Sequence, residues 1–181
     1  MSATAILKHE HDIILLVLKG VERGAESLDE TLAAEPEWLA TLVDFFRTFV
    51  DRCHHTKEER HLFPRLEVRG VPKEGGPIGV MLAEHEQGRA RVRAVAEAAA
   101  AAQAGDAAAR RTASDNLLAY VELLRGHIAK ENSVLFPMAD RVFSAEDQAE
   151  LEAAFERVEA EEMGEGTHER YHELAHRLAG A

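Results

Sequence analysis

Two eleven-residue stretches, HHTKEERHLFP at 54–64 and HIAKENSVLFP at 127–137, share His, Lys, Glu, Leu, Phe and Pro in register, six positions of eleven. Each contains His-x-x-x-Glu, a spacing that sets an imidazole and a carboxylate one turn apart on the same helix face. The duplication reaches further. EHDIILLVL begins at Glu10 and EHEQGRARV at Glu84, so His11 to His85 spans 74 residues, while His54 to His127 and Glu58 to Glu131 each span 73. The sequence therefore predicts two helical hairpins, each giving one histidine from its first helix and a His-x-x-x-Glu pair from its second.

Neutral imidazoles and carboxylates together suit iron, manganese or zinc. Bundles that carry Glu and Glu-x-x-His on facing helices hold pairs of iron or manganese ions. Two histidines per ion, with Glu58 and Glu131 bridging, would leave octahedral iron room for an oxo or hydroxo bridge and one exchangeable small ligand. A single His-x-x-x-Glu is usually a surface pair. Six such groups matched across two hairpins are expected to converge on metal, because burying them unpaired costs about 1–3 kcal/mol each. The expected ligands are His11, His54, Glu58, His85, His127 and Glu131.

The elements that must position these groups follow from apolar spacing. A first helix runs from Thr4 to about Val21, with Gly20 and Gly24 expected to end it. A second opens at Pro36, carries Trp38, Leu42, Phe45, Phe46 and Phe49, and is expected to break at Pro64. RGVPKEGGPIG at 69–79 is a connection. A third helix covers about Ile78 to Gln103, Gly105-Asp106 supplies a turn, and a fourth covers about Ala107 to Arg141. Ser144 is an N-cap with Asp147 in the capping-box position, opening a helix through Glu162; GEG at 164–166 precedes a last short helix over 167–179.

No stretch alternates like a strand, so the fold class is all-α: an up-down-up-down four-helix bundle with two additional short C-terminal helices. It is expected to be one domain over 1–181, with the bundle at about 4–141 and the extension at about 144–181. His11 and His85 lie roughly eight residues, or about 12 Å, inside their helix starts, and Glu58 and Glu131 lie as far before their helix ends. In an antiparallel bundle all four helices thus deliver ligands to one level.

The other chemistry-bearing residues are expected to do less. His9, His55 and His61 fall off the ligand face of an α-helical wheel and are expected to see solvent. His168, His172 and His176 recur every four residues beside Tyr171, and an exposed or partly packed face is the favoured reading. Cys53, the only cysteine, is expected to pack, and Leu62, Phe63, Leu135 and Phe136 to close the core below the site.

A net charge of -12 opposes nucleic acid and anionic membrane, which leaves a cation or a small molecule as partner. With one cysteine there is no disulfide framework, and the apolar run at 13–18 is too short to span a bilayer. A cytoplasmic location is expected.

EH on the first and third helices, with H-x-x-x-E-x-x-x-LFP on the second and fourth, resembles the hemerythrin-like, or HHE cation-binding, domain family over about residues 5–141. The resemblance implies a non-haem di-iron centre, two iron ions bridged by oxo or hydroxo, that meets dioxygen, nitric oxide or peroxide. Oxygen-carrying hemerythrins use His-x-x-x-His on the third helix, where this chain has Arg89 after His85, and His-x-x-x-x-Asp on the fourth, where it has His127 and Glu131. The four-His, two-Glu set looks more like the di-iron proteins that repair iron-sulfur clusters. Binding or sensing of dioxygen or nitric oxide at an open iron position is the expected function. A di-iron redox enzyme acting in peroxide breakdown, nitric oxide reduction or cluster repair is the alternative.

Overall fold

The computed structural model describes residues 1–162 and 167–180. The order of elements is α1 (Ala3–Glu26), α2 (Leu28–Ala34), α3 (38–68), α4 (Pro77–Gln103), α5 (107–142), α6 (Ala145–Glu162) and α7 (Thr167–Gly180). Helices α1, α3, α4 and α5 form the bundle, and no strand occurs among the described residues. The expected GEG break at 164–166 lies outside the described residues.

Local chemistry sets most boundaries. The Ser2 hydroxyl caps α1 by accepting from the Ala5 amide, and Asp106 caps α5 by accepting from the Ala109 amide. Gly105 turns the chain between α4 and α5 at a φ of 95°, a left-handed conformation that favours glycine. Ser144 and Asp147 form the reciprocal capping box predicted for α6: the Asp147 amide donates to Oγ of Ser144, and the Ser144 amide donates to the Asp147 carboxylate.

Two boundaries differ from expectation. Helix α1 continues through Gly20 and Gly24 to Glu26. These glycines serve close approach: a Cβ on Gly24 would sit 2.3 Å from the Trp38 ring, and one on Gly20 would sit 2.6 Å from the Leu178 carbonyl of α7. Nor does Pro64 stop its helix, while the fourth helix passes Pro137 as expected. Within α3, residues Phe46–His55 and Glu58–Leu62 adopt wider π-helical turns, and in α5 Glu131–Leu135 does the same. A proline ring clashes with the carbonyl one turn back. The wider turn ahead of each proline takes up that conflict, and the helix goes on to Val68 or Val142.

The apolar core falls into two layers. One layer holds Phe45, Phe46, Phe49, Leu124 and Ile128, and the other holds Leu7, Leu62, Phe63, Leu135 and Phe136, as expected of the LFP endings. Burying such side chains stabilises the fold by about 1.5–3 kcal/mol each. The polar site lies between the layers, with His11 stacked on Phe136 at 5.3 Å and His85 on Phe63 at 5.9 Å.

Candidate metal centre

All six residues predicted from the repeat are brought together, and all are buried, with exposures of 0–1%. They occupy one level of the bundle. Nε2 of His11 lies 3.1 Å from Nε2 of His54, and Nε2 of His85 lies 3.0 Å from Nε2 of His127. Glu58 reaches both pairs, with Oε1 3.6 Å from His54 and Oε2 3.4 Å from His85. Glu131 places Oε2 3.2 Å from both His11 and His127.

Each of these histidines is oriented through its other nitrogen. Nδ1 of His54 donates to Glu10 at 2.8 Å, that of His127 to Glu84 at 2.9 Å, that of His85 to Glu59 at 2.7 Å, and that of His11 to Asn132 at 2.9 Å. Carboxylate and amide oxygens only accept, so a proton sits on Nδ1, and in the neutral rings the Nε2 lone pairs face one another. Lone pairs held about 3 Å apart repel unless a cation lies between. That separation is also the octahedral edge for metal–ligand bonds of about 2.0–2.2 Å. Both carboxylate oxygens of Glu58 and of Glu131 are buried without a hydrogen bond. Such orphaned acceptors each cost about 1–3 kcal/mol, and the donor set fits a pair of cations.

The outer partners repeat with the ligands. Glu10 and Glu84, the acids of the two EH dipeptides, each cross to the second helix of their own hairpin, and Lys57 and Lys130 of the duplicated stretch pair with them. Asn132 and Glu59 are likewise equivalent, one residue past Glu131 and Glu58. Lys57 is fully buried: it also pairs with Glu159 of α6 and lies 5.8 Å over the Phe155 ring, whereas the Lys130 side chain is 45% exposed. The helical extension therefore covers the outer ion pair of one hairpin and leaves that of the other exposed.

His55 corrects the sequence reading. Expected in solvent, it is 3% exposed, stacks on His85 at 3.8 Å, and joins Glu58, His85 and His127 in one possible ligand group; His11, His54, Glu58 and Glu131 form the other. Neither of its ring nitrogens has a hydrogen-bond partner. An α-helical wheel separates His54 from His55 by about 100°. The i→i+5 turn in which they lie rotates less per residue, and both rings come to face the interior. The HH doublet was the available signal, but the repeat hid it, because the equivalent of His55 in the second hairpin is Ile128.

His9 is exposed as expected, while His61 is half-buried, 6.5 Å from the Phe155 ring. His172 and His176 lie 4.7 Å apart on α7, and the side chain of His168 lies outside the described residues. Tyr171 is buried among Phe45 and Phe49 and donates to Asp44 at 3.0 Å. Cys53 packs in the core, where burial pushes its thiol up to about 12.

Burial also governs the charges. It lowers His54 to about 4 and His55 well below the ordinary value, so both imidazoles are neutral at pH 7. On Glu10 burial acts upward, but the hydrogen bond from His54 and the Lys57 charge override it and hold the carboxyl at about 2. Burial and the Glu131 carboxylate push Glu58 well above the usual range. Burial likewise opposes charge on His127, yet Glu131 and Glu84 hold its pKa above the ordinary value.

A helical bundle with two hairpin-borne sets of imidazole and carboxylate around one buried locus defines a histidine–carboxylate metal-binding fold. The family model of the hemerythrin HHE cation-binding domain matches residues 2–139, and the chain belongs to that family. It is 29% identical over 165 residues to uncharacterised proteins of Mycobacterium tuberculosis and Mycobacterium bovis, an alignment covering 91% of this chain and 64% of each relative. The chain thus spans about 64% of the length of these relatives. No solved structure matches it. Among the described residues, no helix is long and apolar enough to cross a membrane.

Proposed function

We propose that this chain holds two iron ions and binds or senses dioxygen or nitric oxide at an open coordination position. One ion would take His11 and His54, the other His85, His127 and His55, with Glu58 and Glu131 shared between them. The observation that carries the reading is the set of four histidines, each tied through Nδ1 to an oxygen acceptor, whose Nε2 atoms converge on two carboxyl groups without hydrogen bonds. Bound iron supplies a one-electron redox couple and a site for a small exogenous ligand.

The chain's own groups do the rest. Glu10, Glu84, Glu59 and Asn132 hold the rings in one tautomer and make them better donors. The two apolar layers exclude bulk water. With His55 as a ligand the two ions would be unequal, the His11–His54 side having fewer nitrogen donors.

Reduced, iron-loaded protein mixed with dioxygen or nitric oxide tests this reading. A stable optical change that reverses on removing the gas supports binding or sensing. Steady consumption of peroxide or nitric oxide assigns the centre to redox turnover instead. A chain that takes up no iron overturns both.

A further inference from the structure

A cavity of about 210 Å³ lies against the site between α3, α4 and α5. Of its lining residues only His55 also belongs to a possible ligand group, so the ring that faces the candidate site on one side borders the cavity on the other. The residue is 3% exposed, and neither ring nitrogen makes a hydrogen bond, although Nδ1 lies 3.4 Å from the Asp51 carboxylate.

Apolar walls come from Phe46 and Val92, and Gly88 keeps the passage open, since a Cβ there would stand 3.0 Å from the Tyr120 ring. Tyr120 has no hydrogen bond among the described residues; burial pushes its phenol up, so it keeps its proton and remains a donor. Arg89 is held by Asp51, Glu59 and Glu86. The remaining two cations, Arg47 and Arg93, are exposed and make no ion pair among the described residues. Two free arginines at one opening are conspicuous on a chain of net charge -12, and a mouth of that sign raises the local concentration of anions.

We propose that this cavity is a vestibule through which small anions reach the metal pair past His55, with Arg47 and Arg93 steering them in. The proposal rests on the metal-site reading above. An anion of a few atoms fits the volume and can accept from Tyr120, whereas a neutral diatomic gains nothing from the arginines.

The test uses iron-loaded, oxidised protein and azide, with association followed by stopped-flow absorbance from low to high salt. Arg47→Glu/Arg93→Glu alters two exposed side chains outside the ligand set and should leave iron content unchanged. The wild-type association rate should fall with salt; in the double variant it should be about tenfold lower at low salt and lose that dependence. Nitric oxide association with the reduced protein, a neutral control, should be unchanged. Equal azide rates in variant and wild type, or equal slowing of azide and nitric oxide, would overturn the vestibule while leaving the metal site intact. A wild-type chain that takes up no iron would fell the metal reading and the vestibule with it.

Discussion

Replacing Glu58 with leucine should stabilise the metal-free protein and destabilise the iron-loaded one. In the metal-free chain both Glu58 oxygens are buried at 0% exposure without a hydrogen bond. Burial and the neighbouring Glu131 push its pKa well above 4.5, so the cost is that of a neutral unpaired carboxyl, about 1–3 kcal/mol. Glu58→Leu removes that cost at similar volume. For a chain of 181 residues, at about 2–4 °C per kcal/mol, the melting temperature in chelator should rise by roughly 2–12 °C.

Iron reverses the order. At a free concentration about 100-fold over Kd, each site stabilises the wild type by about 2.7 kcal/mol. Leucine offers no donor to either ion, so a rise of roughly 10–20 °C should be lost. The effect also has a pH signature. A carboxyl with a raised folded pKa contributes stability that is complete below its unfolded value, near 4.5, and is lost as pH climbs through the folded value. The variant's advantage in chelator should therefore grow from pH 5 to pH 8. Calorimetry with chelator and with ferrous iron measures both signs. A Glu58→Leu protein that melts below the wild type in chelator would refute the idea that the site is strained when empty of charge compensation.

Further outcomes follow from the same contacts. His55→Ala should lower iron from two per chain towards one, whereas His9→Ala should leave it unchanged; metal analysis after desalting decides. Lys57→Met should destabilise by about 3–5 kcal/mol, because it strands the buried Glu10 carboxylate, while Lys130→Met, its exposed equivalent, should cost about 0–1 kcal/mol in the same denaturant titration. Gly24→Ala should destabilise by about 1–3 kcal/mol against Trp38 despite better helix propensity, and Gly126→Ala, which meets nothing within 4 Å, should stabilise by about 0.5–1 kcal/mol. Melting curves of the two glycine variants should therefore shift in opposite directions.

The site was legible in the sequence where the duplication carried it. His54 and His127, with Glu58 and Glu131, stand at a constant offset and a helical spacing, and the common height of His11 and His85 followed from helix rise alone. What escaped was whatever the duplication lacks or the α-helical wheel distorts. His55 has Ile128 as its twin, and only the widened turn of α3 brings its ring inward. Gly20 and Gly24 look like helix stops when read locally. They are instead contact points for Leu178 and Trp38, partners distant in sequence. Lys57 and Lys130 are identical in the repeat and differ in burial because α6 covers one of them. That is a tertiary fact with no local trace.

The most direct measurement is an anomalous-difference map at the iron edge from crystals of the iron-loaded protein. Two peaks are predicted, one between His11 and His54 and one among His55, His85 and His127, each within bonding distance of Glu58. A single peak, or peaks away from these side chains, would contradict the account.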